Sequence, residues 1–161
     1  MAVRMDASSP TAGASTGSLL GLLGLDPLDS LEPAAREVAR TRELAERAVF
    51  LAQRLLSRAG YRVSGYTDPV DALAAIRAEP SAYRLVVSDY SMPSMSGVDL
   101  ARAIRATRAD LPVVITTGYV TDELRRLADE VGVREIVYKP DSAAQLVGAV
   151  ERLLREFDEA A

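Results

Sequence analysis

From Gly60 onward, the apolar positions of the chain alternate between two patterns. Short apolar runs at Arg62–Tyr66, Arg84–Ser88, Pro112–Thr116 and Arg134–Tyr138 read as strands. Between them lie segments with apolar residues three and four apart, which read as helices. One carries Val70, Leu73, Ala74 and Ile76, and the next, Val98–Thr107, carries Leu100, Ala101 and Ile104. A third carries Leu124, Leu127, Ala128 and Val131, and the last carries Leu146, Val150, Leu153 and Phe157. Local signals agree with the pattern. Asp68-Pro69 is an N-cap followed by a proline at the first helical position, Thr121 is a cap, and Ser142 with Gln145 makes a capping box. Upstream, Leu31 to Ala59 has helical spacing, with Glu32–Arg36 and Glu43–Arg47 as i,i+4 pairs and Gly60 as the stop.

Strands alternating with amphipathic helices predict an α/β fold, a doubly wound parallel sheet covered on both faces. The near-continuous apolar runs Leu85-Val86-Val87 and Val113-Val114-Ile115 suit its buried centre. Residues 1–30 read as a poorly ordered lead, with an apolar piece at Leu19–Leu25 and a turn at Asp26-Pro27-Leu28-Asp29. Residues 31–158 read as the domain: a long first helix at 31–59, then alternating strands and helices over 62–157.

Composition narrows the chemistry. The 161 residues include no Cys and no His, so thiolate or histidine metal sites and Ser-His hydrolysis are excluded. A net charge of −4 argues against nucleic acid as a partner. No apolar run is long enough to span a bilayer and no signal peptide is evident, so a cytoplasmic protein without a membrane partner is expected.

In open α/β sheets, sites form at the carboxyl ends of the strands. Three such ends carry reactive groups: Asp89, Thr117 and Lys139. Brought to one mouth, a carboxylate can attack phosphorus, while a hydroxyl and an ammonium engage the phosphoryl oxygens. Taken singly, Asp89 reads equally as the end of a strand or the start of a turn, and Lys139 as a solvated strand end. Tyr90, Tyr119 and Tyr138 read as packing residues, and Met92 and Met95 as loop packing.

Asp89 with the loop Met92-Pro93-Ser94-Met95-Ser96-Gly97, Thr117-Gly118 and Lys139-Pro140 resembles the receiver domain of two-component response regulators, over roughly Ala45 to Leu154. The resemblance implies a flavodoxin-like receiver fold. It also implies Asp89 as phospho-acceptor, Thr117 as switch hydroxyl and Lys139 as phosphate ligand. Mg2+ would be bound by Asp89, the backbone carbonyl of Ser91 and an acidic pair, and the Lys139–Pro140 bond would be cis. The partners implied are a histidine kinase or phosphotransfer protein and a downstream protein. The chain would be a stand-alone signalling phospho-acceptor with no output domain after the last helix, not an enzyme in the ordinary sense.

The start of the chain departs from the family. Receivers begin with a strand ending in two acids; here the corresponding positions are Glu43 and Leu44, inside a helical pattern. The first strand is therefore degenerate or displaced. It lies at Leu19–Leu25 with Asp26 and Asp29 as substitute acids, or it is absent and 31–59 is one helix, or this N-terminus is not the natural one. With the strand absent, the series Val38, Ala45, Ala52, Ala59 offers a seam for a homodimer. With at most Glu43 left of the acidic pair, Mg2+ binding is weak or absent. The alternative function is then a pseudo-receiver, a phosphorylation-independent protein-interaction module.

Overall fold

The structure is a computed structural model that describes residues 2–6, 33–139 and 142–160. Five strands, β1 (Ala2–Asp6), β2 (Arg62–Tyr66), β3 (Val86–Asp89), β4 (Val113–Thr117) and β5 (Glu135–Tyr138), form one sheet in the order β2-β1-β3-β4-β5. Five helices surround it: α1 (Pro33–Arg58), α2 (Pro69–Ala78), α3 (Gly97–Thr107), α4 (Asp122–Glu130) and α5 (Ser142–Ala160).

The four strands and five helices expected from the sequence are present among the described residues, with bounds within about two residues of those expected except that α5 runs on to Ala160. Local chemistry explains where the helices start and stop. Val70 N–H donates to Asp68 Oδ1 at 2.8 Å, and Leu124 N–H to Thr121 Oγ1 at 3.0 Å, so both predicted caps are made. Gly60 ends α1 with φ +93°, a left-handed conformation that glycine adopts without penalty. The Ser142–Gln145 box and the Lys139–Pro140 bond involve side chains or residues outside those described.

The core has two layers, one on each face of the sheet. On one face, Leu73 and Ile76 of α2, Leu100 and Ile104 of α3 and Leu124 of α4 pack with Val86, Val113 and Ile115. On the other, Ala52 and Leu56 of α1 and Leu146, Val150 and Leu153 of α5 pack with Leu85, Val87, Val114 and Val137. Alternate residues of β3 and β4 serve the two faces, which is why their sequences read as continuous apolar runs.

The first strand corrects the sequence reading. Residues 2–6, expected to belong to the poorly ordered lead, form β1 between β2 and β3. It runs antiparallel to both, with Asp6 opposite Arg62 and Ala2 opposite both Tyr66 and Ser88. The sheet is thus mixed rather than all parallel. The physical reason is that a slot between two paired strands leaves backbone N–H and C=O groups that must be satisfied, and a five-residue strand satisfies them in either direction. The expected strand at Leu19–Leu25, with Asp26 and Asp29, lies outside the described residues.

α1 spans 26 residues, about 39 Å, against about 17 Å for a five-residue strand. Its second half packs on the sheet, so closely at β2 that a Cβ on Gly65 would stand 2.3 Å from Val49 Cγ1. Its first half continues past the carboxyl ends of the parallel strands. Of the seam offered above, Ala52 is buried against the sheet, whereas Val38 and Ala59 are exposed and Ala45 is half-buried.

Candidate functional site

β3 carries Asp89 to the mouth of the sheet. Its backbone is clamped by its neighbour and by its own loop: Tyr90 N–H donates to Thr116 O at 2.9 Å, and Gly97 N–H to Tyr90 O at 3.0 Å. The loop closes because Ser96 caps α3, with Asp99 N–H donating to Ser96 Oγ at 3.1 Å. The Ser96 hydroxyl also donates to Asp99 Oδ2 at 2.6 Å. That bond, with the further bonds and charges of Ser96 and Arg102, holds the Asp99 carboxyl below its ordinary range.

Lys139, just past the end of β5, places Nζ 2.5 Å from Asp89 Oδ2 across 50 residues of sequence. The Asp89 side chain is 23% exposed and that of Lys139 is 45%, so the pair sits at an open mouth. Asp89 Oδ1 accepts a longer bond, 3.3 Å, from Ser91 N–H.

Thr117 is buried at the end of β4, in register with Tyr138, while Asp89 is in register with Thr116. Its hydroxyl donates to Tyr119 O at 2.9 Å and accepts from Tyr119 N–H at 3.2 Å. It is therefore turned into its own loop and not toward Asp89.

Glu43 is on α1, where its Oε1 accepts from Arg47 Nη2 at 2.7 Å. The only acid of β1, Asp6, lies at the opposite end of the sheet, beside Arg62, because the strand is antiparallel. Among the described residues no cluster of three acids is present that could hold a metal. One carboxylate engaged by a lysine, with the backbone of Ser91 beside it, does not match the set of oxygen ligands Mg2+ requires. The described residues do not fit the expected metal site.

Sequence reasoning missed one side of this site. The overhanging half of α1 and the loops after β2 and β3 enclose a cleft of about 550 Å3, lined by Val38, Thr41, Ala45, Pro69 and Pro93 among others. Thr41 also borders the loop of Tyr90, Ser91 and Met92. The length of the helical pattern before Gly60 was the available signal.

The sequence profile of the response regulator receiver domain matches residues 45–151. The chain belongs to that family. The match begins within α1, after the positions where the acidic pair would fall. Among curated relatives, the C4-dicarboxylate transport transcriptional regulatory protein DctD of Rhizobium meliloti is 34% identical over 100 residues, 62% of this chain and 21% of that protein. The response regulator receiver protein CpdR of Brucella abortus is 29% identical over 99 residues, 62% of this chain and 81% of that protein. The chain thus spans about a fifth of DctD. A receiver domain from Clostridium thermocellum superposes with a TM-score of 0.67 at 23% identity, covering 72% of this chain and 92% of that one, and shows the shared fold. The BeF3-activated receiver domain of DrrB superposes with a TM-score of 0.60 at 28% identity, covering 68% and 89%.

Receiver domains are signalling domains rather than enzymes in the ordinary sense; they generally bind Mg2+ and act with kinases or phosphotransfer proteins and downstream partners. No helix among the described residues is long and apolar enough to cross a membrane.

Proposed function

We propose that this receiver domain accepts a phosphoryl group on Asp89 from a histidine kinase or phosphotransfer protein and changes its binding to a downstream protein in response. The observation that carries the reading is the contact of Lys139 Nζ with Asp89 Oδ2 at the open mouth of the sheet. In the transfer, a carboxylate oxygen of Asp89 forms the new bond to phosphorus. The phosphorus–nitrogen bond of the phosphohistidine breaks, and its electron pair returns to the imidazole, which takes up a proton. Lys139 offsets charge on the entering group. Thr117 engages the phosphoryl only by leaving its bonds to Tyr119, which couples the charge at Asp89 to the loop carrying that exposed tyrosine.

Incubation with phosphoramidate, with and without Mg2+, followed by intact mass, tests this directly. The wild-type chain is expected to gain one phosphoryl group and Asp89→Asn none. An adduct that survives Asp89→Asn would place the acceptor elsewhere.

A second reading, a pseudo-receiver that binds a partner without transfer, is favoured by the antiparallel β1, which carries Asp6 away from the mouth. An unlabelled wild-type chain, under conditions that label an ordinary receiver, would select this second reading. The cytoplasmic location and the absence of a nucleic-acid partner belong to both readings.

A further inference from the structure

The outer face of α1 carries an apolar stripe left open by the described residues. Leu44 is 65% exposed and Leu51 56%; with exposed Ala48 and half-buried Leu55 they fall at i, i+4, i+7 and i+11, the spacing of a seam for an apolar partner. Arg40, Arg47 and Arg54 run beside the stripe at seven-residue intervals. A second copy packed antiparallel on it would set these arginine rows against each other. An uncharged apolar segment meets no such conflict.

The described ends of β1 and α1 limit which segment of the chain can reach the stripe. Asp6 is at the end of the sheet near Arg62, which is also where α1 finishes, at Arg58. Pro33 begins α1 at its far end, about 39 Å away along the helix. The two described ends, Asp6 and Pro33, are therefore separated by about the length of α1, with 26 residues of sequence between them. Their middle holds Leu19-Leu20-Gly21-Leu22-Leu23-Gly24-Leu25, five leucines in seven uncharged residues. The reach is adequate: Leu44 to Pro33 is about 16 Å along the helix, and residues 26–32 span up to about 25 Å when extended.

We propose that Leu19–Leu25 packs on the Leu44, Ala48, Leu51, Leu55 stripe of the same chain. The segment buries the leucines of α1 beneath its own and ties β1 to the helix that overhangs the mouth. This docking is independent of whether Asp89 is phosphorylated.

The chain has no cysteine, so engineered pairs report cleanly. Leu22→Cys with Leu51→Cys is expected to form an intramolecular disulfide on mild oxidation at low protein concentration. Leu22→Cys with Glu46→Cys, on another side of α1, is expected not to. A covalent dimer from the first pair would show that a second copy occupies the stripe and overturn the proposal. Equal cross-linking of both pairs would overturn it as well, showing no fixed seat. As a second readout, Leu44→Glu/Leu51→Glu alters exposed positions only, so the fold is expected to survive. Elastase cleavage within 19–25 should then rise about tenfold or more over wild type. An unchanged cleavage rate in a folded variant would equally reject the docking.

Discussion

Gly97 has no room for a side chain. A Cβ there would stand 2.5 Å from Asp89 O and 3.2 Å from Tyr90 Cα, both backbone, so the start of α3 is pressed directly onto the strand end that carries the acid. Gly97→Ala is therefore expected to cost about 1–3 kcal/mol in urea denaturation and to slow any labelling of Asp89, since strand end and loop must separate. Gly118, the other loop glycine of the site, has open space around its Cβ position, and Gly118→Ala should change stability by less than about 0.5 kcal/mol. Lys139→Ala is expected to leave the fold intact, because the pair it breaks is partly exposed, but to reduce phosphoryl uptake by Asp89 well below wild type in the same mass assay. At this scale Asp89, Thr117 and Lys139 were legible in the sequence because each stands where an apolar run ends. The inward turn of Thr117 was not legible, since its hydroxyl could meet either the mouth or its own backbone.

The elements differ in how far local sequence decides them. α2 and α4 start where Asp68 and Thr121 accept their first amides, and α1 stops at Gly60; these signals involve residues a few positions apart. α3 has an equally local cap, with a pH signature. The Asp99 carboxyl lies below its ordinary 3.8 because of Ser96, so its unfolded form binds a proton first. Its contribution is fully present above about pH 4 and fades as pH falls through the lower, folded value. Asp99→Asn should remove that part of the acid sensitivity, seen as a flatter fall of thermal stability between about pH 4 and 2. β1 is the opposite case. Ala2, Val3 and Arg4 lie between two partners, in register with both β2 and β3, and Val3→Pro is expected to cost about 3 kcal/mol or more in urea denaturation. An unchanged midpoint would mean that β1 contributes no ladder.

For the whole molecule, the direction of β1 decides the chemistry available at the mouth. Had that strand run parallel, its C-terminal acid would stand beside Asp89; antiparallel, Asp6 stands beside Arg62. Mg2+ titration followed by tyrosine emission should accordingly show no saturation below about 10 mM. A saturable change that Asp89→Asn abolishes would show that further acids reach the mouth. The sequence by itself determined the alternation of strands and helices, the family and the three strand-end residues, because these rest on short-range periodicity and on residue types at fixed spacings. Only the tertiary structure decided that residues 2–6 complete the sheet, that they run backwards, and that Val49, Ala52 and Leu56 of α1 are the residues it buries. Strand direction and helix burial depend on which backbone groups remain unpaired once the rest of the chain has folded, and no local pattern carries that information.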